Sequence, residues 1–269
     1  MSTPPSETLF ADDAAARRVE ALYRTPDIVA QRAAIRANLA LVPGERVLDV
    51  GCGPGLLCAE MAETVGTAGE VVGIDTADSM LRIAGQNGSG LRQMSVRSGE
   101  ATSLPADNGA FDAVVCTQVL EYVPDVTAAL AEFRRVLRPG GRLLLVDTDW
   151  ASCVWASADD ARMRRIIAAW DAHCPHPQLP RTLPTLLAAA GFDLVHVEAL
   201  PLLSVRRSEN TYCAGMTDVI ARFVVRSGGV APEEAAAWRD DLARREAEGT
   251  TFFSLSRFMF LARCEGGGR

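Results

Sequence analysis

The stretch VLDVGCGPG, residues 47–55, sets a carboxylate, Asp49, two positions before the first of three glycines, Gly51, Gly53 and Gly55. RVLDV is a short β-branched run of the kind buried strands use. LLCAEMAETVG (56–66) follows with helical spacing and a terminal glycine. A strand that passes through a glycine-rich turn into a helix delivers backbone to the carboxyl edge of a parallel sheet, where ligands of such folds bind. Glycine lets a ligand approach the main chain closely, and the free N–H groups of the helix face the same space. A second carboxylate, Asp75, ends the next apolar run, EVVGID, 24 residues after Gly51. There an acid can accept both hydroxyls of a ribose.

The first alternative is a dinucleotide turn, G-x-G-x-x-G, which cradles a pyrophosphate. Counted from Gly51, its third glycine falls at position 56, which is Leu56; the glycine stands at 55 instead. Pro54 also removes an N–H that a phosphate would use. Asp49 repels a diphosphate and suits an ammonium group. A ligand with an amino-acid end and a ribose in its middle satisfies both acids, and S-adenosylmethionine has both.

The elements that must position these residues follow from periodicity. Residues 9 to 41 read as helices broken at Thr25-Pro26. After the first strand and helix come EVVGID (70–75), a helix over 79–86, strands at 94–101 and 111–118, a helix over 125–137 stopped by Pro139, Gly140 and Gly141, and a fifth strand, RLLLVDTDW (142–150). Alternation of strand and helix predicts a doubly wound, mostly parallel α/β sheet. A helix over 158–172, a Pro-rich crossing, a helix over 183–190 and a strand at 193–199 come next. Residues 205–250 read as a helical insertion, and TFFSLSRFMFLARC (251–264) as a last strand. Residues 1–8 and the GGGR tail carry no folding pattern.

Composition removes several function classes. The chain has 269 residues, a net charge of -7 and a pI near 5.1, and its cations are all arginine. An acidic surface argues against nucleic-acid or anionic-membrane partners, and no apolar run is long enough to span a membrane. Seven cysteines without a CxxC pair argue against a disulfide framework or structural zinc and for a reducing, cytoplasmic setting. The first residues, MSTPPSETLFADD, lack the pattern of a secretory signal.

Four segments, VLDVGCGPG, VVGIDTADSM, SGEATSLPADNGAFDAVVCTQVLEYVPD and LRPGGRLLLVDTDW, resemble those of class I S-adenosylmethionine-dependent methyltransferases. The similarity is greatest to the small-molecule branch that includes the ubiquinone and menaquinone C-methyltransferases. It covers about residues 20–150. It implies a Rossmann-like, seven-stranded sheet with one antiparallel strand, an N-terminal helical lid (1–41), a core (42–204 and 251–264) and a helical cap over the substrate (205–250). It implies S-adenosylmethionine as cofactor, S-adenosylhomocysteine as product, and a monomer or homodimer. Carried over by position, Asp49, Gly51 and Gly53 hold the methionine portion and Asp75 the ribose. Thr76 and Met80 flank the adenine, and Glu100, with the Ala101 N–H, faces its amino group. The family more often has Asp at position 100. Thr117 and Gln118 border the methyl group, and Arg32 is placed to pair with the methionine carboxylate.

The sulfonium methyl is already activated, so a methyltransferase needs a base only if its acceptor must lose a proton. The candidates for catalysis are His173, Tyr122 and Asp149; those for substrate contact are Tyr23, Tyr122, His173 and Tyr212. Asp147 shares the end of the fifth strand with Asp149. His173 and His176 flank Cys174 in the run HCPH, which lacks a fourth ligand, so no metal site is expected. The expected acceptor is a fairly apolar small metabolite, methylated on O, C or N. A nicotinamide-dependent oxidoreductase, a catalytically inactive binding protein of the same fold, and an arsenic or thiol methyltransferase are the competing readings.

Overall fold

The structure, a computed structural model of the chain, describes residues 13–206 and 210–264. The expectations for residues 1–8 and the GGGR tail lie outside it. Helices α1 (Asp13–Tyr23) and α2 (Pro26–Leu39) precede β1 (Arg46–Val50), α3 (Leu56–Val65), β2 (Glu70–Asp75), α4 (Asp78–Asn87) and β3 (Met94–Ser98). Then follow β4 (Phe111–Thr117), α5 (Val126–Val136), β5 (Leu137–Trp155), α6 (Asp160–Trp170) and α7 (Leu183–Ala189). The chain ends through β6 (Phe192–Val205), α8 (Tyr212–Arg226), α9 (Pro232–Ala247) and β7 (Phe252–Cys264). The strands form one seven-stranded sheet in the order β3-β2-β1-β4-β5-β7-β6. The pairings from β3 to β5 are parallel, and β7 runs antiparallel to both β5 and β6.

Both faces of the sheet are covered, as the unbroken apolar run of β1 requires. Leu48 and Val50 pack with Leu130 and Phe133 of α5 on one face, while Val47 packs with Ile35 of α2 and Met61 of α3 on the other. A separate apolar cluster joins α6, α8 and α9 to the far ends of β5 and β7, built on Trp150, Trp155, Trp170, Phe223, Trp238 and Phe253.

The third strand leads into a loop, as its sequence predicts. No helix lies between β3 and β4; residues 99–110 cross as turns and coil, because Gly99, Pro105 and Gly109 punctuate that segment. Strands β5 and β6 outrun their expected spans of 142–150 and 193–199. Both pair along almost the whole of β7, to Trp155↔Phe253 and Val205↔Phe252, so pairing carries them past the point where hydrophobic alternation fades. The insertion is a helix pair, and α6 begins at Asp160, where the Asp159 carboxylate caps it by accepting from the Arg162 N–H at 2.9 Å.

The turn after β1 is fixed by two glycines. Gly51 has φ 71°, and a Cβ there would overlap Val119 Cγ2. Gly55 has φ 73° and sits where a Cβ would lie 2.7 Å from Ala84 Cβ of α4. Both positions therefore combine left-handed backbone with absent space. Gly51→Ala should lower stability by about 2 kcal/mol or more, through strain and the Val119 overlap together. Urea denaturation of Gly51→Ala and of the Gly51→Ala/Val119→Ala pair checks this. The pair should recover part of the loss, and equal stability of Gly51→Ala and wild type would contradict the assignment.

Candidate functional site

A cavity of about 680 Å³ opens at the carboxyl ends of β1, β2 and β4 and runs under α1 and α2. The glycine turn 51–54 forms one wall, and Asp75, Thr76 and Met80 form the next, at the β2–α4 junction. Glu100 and Ala101 lie at a rim, and Thr117, Gln118 and Tyr122 line the region beyond β4. Tyr23 and Arg32 reach it from the N-terminal helices. The cavity therefore gathers the carboxylates, glycines and loop residues that the sequence scatters over about a hundred positions.

The N–H groups of the turn are already committed. Those of Gly51 and Cys52 both donate to the Ile74 carbonyl, at 2.7 and 2.9 Å, and that of Gly55 to Cys52 at 3.0 Å. The Gly53 N–H donates to Asp75 Oδ2 at 2.9 Å, and Pro54 has none. A diphosphate would meet no free donor on residues 51–55 and two carboxylates. Asp75 also accepts from the Ala77 N–H at 2.9 Å, so it steadies the start of α4 while presenting its carboxylate to the cavity.

Asp49 is 1% exposed, and its Oδ2 accepts from the Cys58 thiol at 3.1 Å. Its Oδ1 is buried without a partner, an orphan acceptor on the cavity wall. Burial pushes its carboxyl up to about 7; the Cys58 hydrogen bond opposes this and the nearby Asp75 charge adds to it. Asp75 is also raised, by burial, against the pull of the Ala77, Gly53 and Thr76 N–H groups. Two carboxylates so placed need a cation. An ammonium group at Asp49 Oδ1 would fill the vacant hydrogen bond and neutralise the charge. The donor set thus fits the amino-acid end and ribose of S-adenosylmethionine, and does not fit a pyrophosphate.

The loop after β4 is held tightly. Gln118 is a non-glycine residue at φ 58°, its N–H donates to the Val146 carbonyl at 2.7 Å, and its Oε1 accepts from the Thr148 hydroxyl at 2.6 Å. A residue kept in that backbone region marks a site where geometry has been favoured over local ease. Tyr23 and Tyr122 both line the cavity, and burial raises both phenols, so each is a neutral hydroxyl.

Three expected residues stand elsewhere. His173 is fully buried outside the cavity, stacked on Trp170 at 3.9 Å and edge-on to Trp150 and Tyr122. Its Nδ1 lies 2.7 Å from the Trp170 carbonyl, and burial lowers its pKa to about 4. It is an aromatic-core histidine, one layer behind Tyr122, and not a base facing substrate. Asp149 does not line the cavity either; Arg181 holds it through Nε at 2.9 Å and Nη2 at 3.1 Å. Tyr212 is buried behind the wall, under the guanidinium of Arg257 at 4.6 Å from its ring centre. Arg32 does line the cavity, but Glu60 takes its Nε at 2.9 Å and the Tyr23 carbonyl takes Nη1 at 2.5 Å. Its role at a ligand carboxylate would require sharing that charge.

Periodicity missed Arg257. It lies on β7 in phase with the buried Phe253, Leu255 and Met259, and a charge on the core face of an alternating strand was the available signal. It is 1% exposed, it lines the cavity, and Gln31 Oε1 accepts from its Nη1 at 2.8 Å. Behind it, Glu121 and Asp147 are both buried, and burial raises both carboxyls, with the Arg257 charge opposing. Among the described residues no group of three or more metal-ligating side chains forms a metal site, and no helix is long and apolar enough to cross a membrane.

Known proteins resemble this chain in sequence and in fold. Residues 48–145 match the family model described as a methyltransferase domain. An uncharacterized 37.1 kDa protein in transposon Tn4556 of Streptomyces fradiae is 33% identical over 226 residues, 82% of this chain and 63% of that protein. The demethylmenaquinone methyltransferase of Staphylococcus epidermidis is 34% identical over 114 residues, 42% of this chain and 47% of that enzyme. The matches thus span about half to under two thirds of these relatives. Among solved structures, a phosphoethanolamine N-methyltransferase of Haemonchus contortus in complex with S-adenosylmethionine superposes with a TM-score of 0.63 at 15% identity, over 98% of this chain and 60% of that one. Residues 48–145 thus match a methyltransferase domain, and the fold is that of S-adenosylmethionine-dependent methyltransferases.

Proposed function

We propose that the protein transfers a methyl group from S-adenosylmethionine to a small, largely apolar acceptor. The observation that carries this is the orphan Oδ1 of buried Asp49, set beside Asp75 on a cavity whose turn amides are all engaged. Bound S-adenosylmethionine supplies a methyl group on a sulfonium that needs no further activation. Asp49 would hold the ammonium, and Asp75 the ribose hydroxyls. Met80 and Thr76 would border the adenine, with Glu100 and the Ala101 N–H at its rim. Thr117 and the fixed Gln118 loop border the space left for the transfer. The contribution of the chain is to exclude water and align the reactants. Tyr23 and Tyr122, as neutral phenols, can donate hydrogen bonds to an acceptor.

The acceptor space lies under the N-terminal helices, read as a lid; the α8–α9 insertion, read as a cap, packs behind them and puts no residue on the cavity wall. Its wall beyond Gln118, formed by Tyr23, Ile28, Tyr122 and Val123, suits an aromatic or polyketide-like molecule, and the demethylmenaquinone named for the Staphylococcus relative is a molecule of that apolar kind. With its acidic charge, the chain would act on no nucleic acid, in the cytoplasm, as a monomer or homodimer. Thermal shift with S-adenosylhomocysteine and with NAD tests the cofactor. S-adenosylhomocysteine should raise the melting temperature and NAD should not. A methyl-release assay on phenols, hydroquinones, amines and carbon acids then finds the acceptor atom.

Two further outcomes follow from the carboxylates. Asp75→Ala should weaken S-adenosylhomocysteine binding more than about tenfold, from lost charged hydrogen bonds and a loosened Gly53 turn; unchanged affinity by calorimetry would remove Asp75 from the site. Asp49 must be ionised to hold an ammonium, and in the free protein its carboxyl titrates near 7. Affinity for S-adenosylhomocysteine should therefore be full above that pH and fall by up to about tenfold per unit below it. Titrations between pH 5.5 and 8.5 (about three decades of proton activity) check this, and Asp49→Asn should be weaker throughout and flat. A wild-type affinity independent of pH would separate Asp49 from the ammonium.

A further inference from the structure

We propose that Arg257 is the specificity determinant for an acceptor carrying an anionic oxygen, a carboxylate or an ionised acidic hydroxyl, on an otherwise apolar body. This rests on the methyltransferase reading and narrows its substrate class. A guanidinium keeps its charge in proteins, so its burial must be compensated. At 1% exposure Arg257 has only neutral partners among the described residues, the Gln31 amide at 2.8 Å and Tyr212, which meets it through its phenol and through its ring face at 4.6 Å. Its Nε has no hydrogen-bond partner. No carboxylate of the described residues makes an ion pair with it; Glu121 and Asp147 act on it only through space, from the protein side. On the cavity side, the carboxylates that line the wall, Asp49 and Asp75 among them, make no ion pair with it. An oxyanion there would complete the site by a charge-assisted hydrogen bond, and a guanidinium matches a carboxylate in shape as well as charge.

Position separates this site from the cofactor end. Arg257 pairs in register with Thr148 of β5, and Thr148 holds Gln118. In the sheet β7 stands three strands from β1, across β4 and β5, which is roughly 14 Å at ordinary strand spacing. The carboxylates of the cavity, Asp49 and Asp75, lie at its β1–β2 end and the unpaired arginine at its β7 end. A cationic cofactor and an anionic acceptor would each find the opposite charge. Gln31 fixes the guanidinium, and Tyr23, Ile28 and Tyr122 supply the apolar surround.

The test uses a matched pair, 1-hydroxy-2-naphthoate and its neutral amide, titrated into the protein saturated with S-adenosylhomocysteine. Wild type should bind the acid at least about tenfold more tightly than the amide. Arg257→Met should lose that preference while keeping S-adenosylhomocysteine affinity within about twofold. Equal affinity of wild type for acid and amide, or no binding of the acid up to about 10 mM, overturns the proposal without need of any variant. So does a parallel loss of S-adenosylhomocysteine binding in Arg257→Met, which would place the arginine with the cofactor. Failure of wild type to bind S-adenosylhomocysteine at all would instead defeat the methyltransferase reading on which the proposal rests.

Discussion

The hydrogen bond from the Gly53 N–H to Asp75, 2.9 Å long, is the constraint around which the site is arranged. It ties the glycine turn after β1 to the end of β2, and with the two N–H groups that meet the Ile74 carbonyl it uses up the donors of the turn. A glycine-rich turn with free amides is a phosphate cradle. The same turn with its amides satisfied from within becomes a scaffold that displays carboxylates. The chemistry of the ligand is reversed although the backbone path is nearly the same. The positive φ at Gly51 and the close approach of Val119 follow from this, because the chain must curl tightly to bring residue 53 back to residue 75.

From that constraint the polarity of the cavity follows. Two acids at one end cost stability when nothing cationic is bound, since each is partly or wholly desolvated and each raises the other's proton affinity. The protein tolerates this because Asp49 can take up a proton near neutral pH and Asp75 is surrounded by N–H groups. At the far end no such escape exists, because arginine cannot discharge itself. Gln31, Tyr212 and the more distant Glu121–Asp147 pair soften that cost. Groups that are expensive in the free protein and cheap in the bound one are the mark of a binding site more than of a core.

The sequence carried the fold through β5 because each step has a local cause: a β-branched run, a glycine or proline stop, an amphipathic helix. It carried the cavity residues near the β1–β2 junction for the same reason, since Asp49 and Asp75 end short, recognisable strands. It failed where position depends on pairing partners far along the chain. β5 and β6 continue because β7 lies between them, and nothing in RLLLVDTDW announces that. His173 was drawn to the site by its chemistry and by its proline-rich neighbourhood. Its burial against Trp150, Trp170 and Phe223 gathers strand β5, α6 and the distant α8 around it. At Arg257 the aromatic alternation of the strand masks a charge on its core face. Its phase with Phe253 and Leu255 was visible, but the meaning of that phase depends on which face the N-terminal helices cover.

Access to the cavity depends on how the two flanking pieces meet. Asp27, in the first turn of α2, accepts from the Tyr212 N–H at 2.9 Å at the start of α8. Gly215 lies so close to Leu22 of α1 that an added Cβ would stand 2.5 Å from Leu22 Cδ1. The N-terminal helices and the insertion are therefore seated on one another, and both touch Arg257, through Gln31 and through Tyr212. A shift of α2 that uncovered the glycine turn would also withdraw the amide that steadies the guanidinium. Arg257 is thus held from both flanking pieces, by α2 through Gln31 and by the insertion through Tyr212. That linkage gives a physical reason for a charged side chain to be planted in the core where helices and last strand converge.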